Sequence, residues 1–154
     1  MKLMNLGNAL KFATDKEAHL IGIYEEAAGK LIDTEAKEVL LSVAAVSKKR
    51  SAVLERLYKE NMYSDMDTGI FEPLAGLNDT DYMIEDKPSH EGDFSSILQL
   101  AIETEETIER FYRDLAAQLK SRRSGVAREL ERAARENSDK KLKLKSFQSK
   151  LSPK

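Results

Sequence analysis

The 154-residue sequence predicts an all-α fold, an antiparallel four-helix bundle with one long connection between its second and third helices, and three observations carry that expectation. Apolar residues recur at alternating spacings of three and four over four long stretches, the period of a single helix face. The pattern also repeats itself: Ala13, Glu17, Tyr24 and Ala28 recur 88 positions later as Ala101, Glu105, Tyr112 and Ala116, which points to a duplicated helical hairpin. Finally, the long aperiodic stretch, residues 61–93, falls midway along the chain and contains Gly69, Gly76, Gly92, Pro73 and Pro88.

The first helix is expected over about residues 3–31, with Leu6, Leu10, Ala13, Glu17, Leu20, Tyr24, Ala27 and Leu31 on one stripe. Asp33 is placed to cap a second helix over about 34–60, whose stripe of Ala36, Leu40, Val43, Ser47, Arg50, Leu54 and Leu57 is interrupted by two polar residues. Residues 61–93 then form a crossover. Its Phe71, Leu74, Leu77, Tyr82, Met83 and Ile84 suggest a segment that packs down across the helices, with one short turn of helix in it. Asp93 or Ser95 can cap the third helix, about 94–120, with the stripe Phe94, Leu98, Ala101, Glu105, Ile108, Tyr112, Leu115 and Leu119. A turn around Gly125 leads into the fourth, about 125–150, where Val126, Leu130, Ala133, Asn137, Lys140, Leu144, Phe147 and Leu151 align. Helices two and four superimpose at an offset of 90, so Ser47 and Arg50 correspond to Asn137 and Lys140.

A chain of this length is read as one domain, residues 1–154, able to bury about two thirds of the surface its unfolded form exposes. It has no cysteine, which excludes disulfides, thiolate nucleophiles and Cys-ligated zinc or iron-sulfur centres. Lys11 and Asp15 interrupt the N-terminal apolar run, and no stretch approaches the roughly 20 apolar residues of a membrane span. A soluble, cytoplasmic protein without a membrane partner is the expectation. Charge is unevenly spread: residues 61–93 hold nine acids against Lys87 alone, whereas residues 120–154 hold twelve cations against four acids. The basic end lacks interleaved aromatic residues on which bases could stack, so it reads as a solvated helix face rather than a nucleic-acid surface.

The two inward glutamates are the chemical anomaly. A lone carboxylate in a core must be neutralised, hydrogen-bonded, paired with a cation or bound to a metal. An inward glutamate with a tyrosine seven positions later and alanines at either flank, followed by a second helix and then the same again after a long crossover, resembles the rubrerythrin branch of the ferritin-like proteins. The resemblance spans nearly the whole chain and is strongest at ATDKEAHLIGIYEEAA and AIETEETIERFYRDLA. It implies a bundle, commonly dimeric, in which one glutamate from each of helices one and three joins a Glu-x-x-His pair from each of helices two and four to hold two irons. Glu17 and Glu105 stand at the positions of the single glutamates.

The Glu-x-x-His pairs are missing, replaced by Ser47-Lys48-Lys49-Arg50 and Asn137-Ser138-Asp139-Lys140. Guanidinium and ammonium have no lone pair to offer a metal at neutral pH. The expected arrangement is therefore a degenerate site in which Glu17 and Glu105 pair across the interior with Arg50 and Lys140, while Ser47, Asn137, Tyr24 and Tyr112 satisfy the remaining lone pairs. No metal is expected as a cofactor. Iron is the alternative, and it needs helix four shifted by one position, so that Glu136 and Asp139 face inward beside Glu105 and Glu17. That shift would also turn Arg132, Lys143 and Ser146 inward in place of Ala133, Leu144 and Phe147.

Other candidates read as ordinary. His19 lies off the inward stripe, His90 stands beside Glu91 in the acidic crossover, and Asp65, Asp67 and Gly69 lack the remaining ligands of a calcium loop. No phosphate loop, nucleophile elbow or His-Glu-x-x-His motif is present. The expected function is that of a non-catalytic binding, regulatory or structural protein, a homodimer in which acidic crossover and basic fourth helix face each other. The alternatives are a metal-binding oxidoreductase with a rebuilt carboxylate site and a binder of nucleic acid or an acidic partner.

Overall fold

The computed structural model describes residues 3–64, 73–82 and 94–151. In chain order these form β1 (Leu3–Asn5), α1 (Leu6–Gly29), α2 (Thr34–Ser64), β2 (Pro73–Asn78), a 3-10 turn (Asp79–Tyr82), α3 (Phe94–Leu119) and α4 (Ser124–Leu151). The four helices pack against one another. α1 lies along α2 and α3 along α4, and the two pairs meet through α1 with α3 and α2 with α4.

Local chemistry sets the helix boundaries. The Asn5 side chain accepts the Asn8 N–H at 2.8 Å while the Asn8 side chain accepts the Asn5 N–H at 2.8 Å, a reciprocal cap that starts α1 at Leu6. The first helix is thus shorter than residues 3–31, because residues 3–5 are extended. Asp33 caps α2 as expected, its carboxylate accepting the Ala36 N–H at 2.9 Å. Residues 30–33 and 120–123 make the two short connections, the second closed by Arg123 N–H donating to the Leu119 carbonyl at 2.7 Å. α4 begins at Ser124, so Gly125 sits in its first turn and not in the connection.

The chain between α2 and α3 contains more regular structure than one turn of helix. β2 pairs antiparallel with β1, Leu3 opposite Asn78 and Asn5 opposite Pro73, with an irregularity between them. Pro73 is the first residue of its strand, where the missing N–H is tolerated. Met4, Leu74, Leu77 and Tyr82 are buried, so this two-stranded piece packs against α1 and α3. Tyr82 meets Phe111 edge-on, with centroids 4.9 Å apart, and donates its hydroxyl to Asp114. Phe12 reaches the same Phe111 from α1, at 5.0 Å. The expected roles of Phe71, Met83, Ile84, Asp93, His90, Asp65, Asp67 and Gly69 fall outside the described residues.

The inward stripes match the sequence pattern along all four helices. Leu6, Leu10, Leu20, Leu40, Leu54, Leu98, Leu115, Leu130 and Leu144 are all buried, each worth about 1.5–3 kcal/mol of transfer free energy. Midway along these stripes the core turns polar. Glu17, Ser47, Arg50, Glu105, Asn137 and Lys140 are all buried.

Candidate functional site

Apart from Arg50, the polar interruptions of the stripes meet one another, so at least one residue from every helix enters the same interior. α1 contributes Glu17 and Tyr24, α2 Ser47, α3 Glu105 and Tyr112, and α4 Asn137 and Lys140. The tyrosines bond crosswise between α1 and α3: Tyr24 donates to Glu105 Oε2, and Tyr112 donates to Glu17 Oε2 at 2.6 Å. The seven-residue spacing between each glutamate and its tyrosine makes both bonds possible at once, since two turns of one helix face two turns of the other.

Lys140 stands at the centre. Its Nζ lies 3.0 Å from Glu105 Oε2 and 3.6 Å from Glu17 Oε1, and donates to Ser47 Oγ at 2.7 Å. Asn137 Nδ2 donates to Glu105 Oε1 at 2.6 Å. Glu105 therefore meets three partners from two other helices, Tyr24 of α1 and Asn137 and Lys140 of α4. Glu17 Oε1 is paired with Lys140 by charge only and, like Asn137 Oδ1 and Arg50 Nη1, has no hydrogen-bond partner among the described residues.

Arg50 does not join the glutamates, contrary to the expectation from sequence. Its Nε and Nη2 donate to Glu136 Oε1 at 3.0 and 2.8 Å, and Nη1 lies 3.7 Å from Glu129 Oε1. The long side chain delivers its charge to α4, where these two acids sit two turns apart. Ser47 likewise serves the lysine and not a carboxylate. Replacing Arg50 by alanine is expected to cost on the order of 1–2 kcal/mol, less than breaking a fully buried pair, because Glu136 is 36% exposed and regains water. Urea unfolding of Arg50→Ala measures it, and an unchanged midpoint would show that the bond carries no weight.

Two inward carboxylates thus share one cation, and ionisation follows from that shortage. Burial, with Glu17 beside it, pushes the Glu105 carboxyl up against the opposing pull of Lys140 and its hydrogen bonds from Tyr24 and Asn137. Burial and the adjoining carboxylates also push both Tyr24 and Tyr112 well above the ordinary phenol value. Both phenols stay protonated and act as donors.

The shifted register that a rebuilt carboxylate site requires is not adopted. Asp139 is exposed and Glu136 faces Arg50, while Ala133, Leu144 and Phe147 are buried and Arg132, Lys143 and Ser146 are exposed. Nor do the residues fit two irons. Where four ligands would be needed stand Ser47, Arg50, Asn137 and Lys140, and an ammonium lies between the two carboxylates, repelling a metal cation and offering it no lone pair. Among the described residues no group of three or more His, Cys, Asp or Glu is arranged to hold a metal ion. His19 is exposed, as expected.

A scan against protein-family models and searches of curated proteins and of solved structures found no match to this chain. The chemistry of the site therefore rests on its own geometry. Its groups are buried and mutually engaged, with no free nucleophile or open general base among them. What the arrangement can do is tie four helices together at one level, since a slip of any helix would strand a charge. The residues that sequence reasoning missed are Glu129 and Glu136 as the partners of Arg50. Their signal was the duplication itself, for at the offset of 90 they correspond to Val39 and Val46, so only the second half carries acids there.

Proposed function

We propose that this chain is a ferritin-like antiparallel bundle, of the rubrerythrin branch, in which a lysine ammonium has replaced the charge of the metals and which serves as a non-catalytic structural or binding protein. The observation that carries the reading is Lys140 Nζ between Glu105 and Glu17, one carboxylate from each of the two duplicated helices. The arrangement of cross-helix pairs supports an antiparallel order: Glu35 with Lys150, Ser42 with Lys143 and Arg50 with Glu136 run in opposite directions along α2 and α4. Two short connections and one long one fit the same topology.

No observation favours the oxidoreductase reading, because the two acids it would add to Glu17 and Glu105 face elsewhere, Glu136 toward Arg50 and Asp139 toward solvent. Restoring the missing ligands tests the proposal. A variant with Ser47→Glu, Arg50→His, Asn137→Glu and Lys140→His places Glu-x-x-His on both helices. Under anaerobic ferrous titration it is expected to bind about two irons per chain, while the native chain binds none stoichiometrically. Stoichiometric iron in the native chain would overturn the reading.

A further inference from the structure

A groove of about 260 Å³ opens between α2 and α4, lined by Val43, Val46, Lys49, Glu136, Asp139, Lys140 and Lys143. Its two walls differ in chemistry. α2 supplies Val43, Val46 and the cation Lys49, and α4 supplies only polar and charged groups. At the offset of 90, Val46 corresponds to Glu136 and Lys49 to Asp139, so the two halves of the duplication have diverged here, α2 keeping an apolar floor with one cation where α4 carries acids.

The charges in the groove are not equally available. Glu136 is held by two hydrogen bonds from Arg50, and the Lys140 ammonium is turned inward to Ser47 and Glu105. Lys49 and Lys143, both exposed, remain at the rim against the exposed Asp139, an excess of one positive charge. The Lys143 ammonium donates to Ser42 Oγ at 3.3 Å, a long bond to a neutral partner that a carboxylate would readily displace. The volume lies just below the usual range of about 300–1,000 Å³ for ligand pockets, so an occupant must be small.

We propose that this groove binds a small amphipathic monocarboxylate, its hydrocarbon portion against Val43 and Val46 and its carboxylate between Lys49 and Lys143. The inference goes beyond the structural reading of the interior. Because none of the residues changed in its test belongs to the buried cluster, its failure would leave the iron titration untouched.

The test is calorimetric and NMR titration of the full chain with sodium octanoate. Saturable binding of one octanoate per chain is expected, with shifts centred on Val43 and Val46. The double variant Lys49→Glu/Lys143→Glu, changed only at exposed positions, should weaken binding by about tenfold or more through charge reversal. Val46→Phe, which fills the groove, should weaken it as well, and octyltrimethylammonium, of equal length and opposite charge, should not compete. Absence of saturable binding, binding unchanged in the charge-reversed variant, or equal binding of the cationic analogue would overturn the proposal.

Discussion

Replacing Lys140 by methionine is expected to destabilise the chain by about 3–5 kcal/mol, the cost of leaving buried carboxylates without their counter-charge. Methionine keeps the length and the apolar stem, so the loss isolates the ammonium. Three contacts disappear together: the ion pairs to Glu105 and Glu17 and the bond to Ser47. In a domain of this size each kcal/mol lowers the melting temperature by about 2–4 °C, so the change is easily read in a thermal scan. Adding Glu17→Gln and Glu105→Gln to Lys140→Met should return most of the stability, because neutral amides still accept from Tyr112 and Tyr24 and no charge is left buried. A Lys140→Met chain as stable as the native one would mean that the ammonium does not hold the centre.

The second large effect is on pH. The folded chain keeps a proton on Glu105 above its ordinary value of 4.5, where the unfolded chain has released it. The folded state therefore binds more protons in that window, and the contribution of Glu105 to stability falls as pH rises from about 4.5 to the raised midpoint in the fold. Each unit of that rise is worth about 1.4 kcal/mol. This slope is opposite to that of a salt-bridged surface carboxylate. Removing Lys140 takes away the group that pulls the Glu105 midpoint down, so in Lys140→Met the decline should extend to higher pH. Urea midpoints measured from pH 4 to 8 on native, Lys140→Met and Glu105→Gln chains check this, the last losing the contribution. A native chain and a Glu105→Gln chain with the same pH slope would contradict it.

The helices were legible in the sequence because a 3.6-residue period leaves a record in every turn. Leu6 to Ala27 and Leu98 to Leu119 face inward as the spacing says, and Asp33 caps α2. The polar interior was legible for the same reason: Glu17, Ser47, Glu105, Asn137 and Lys140 interrupt the stripes and meet in the fold. Stripe position says which way a side chain faces but not how far its end travels. That is why Arg50, inward by register, delivers its charge to Glu136 and Glu129 on α4 instead of to the central glutamates. The β1–β2 pair was hidden for a different reason. Three residues are too few to show alternation, and Pro73 and Gly76 within Pro73–Asn78 read as chain breakers although one begins the strand and the other lies inside it. The Tyr82–Asp114 bond depends on that pairing and was hidden with it.

Diffraction from a crystal of the native chain soaked in ferrous iron, with data collected at the iron absorption edge, tests most directly whether an ammonium holds the place of the metals. The expected map shows no anomalous peak between Glu17 and Glu105, with Lys140 Nζ within hydrogen-bond reach of Glu105 and Ser47. A peak bridging the two carboxylates, with the lysine turned out into the groove between α2 and α4, would contradict it.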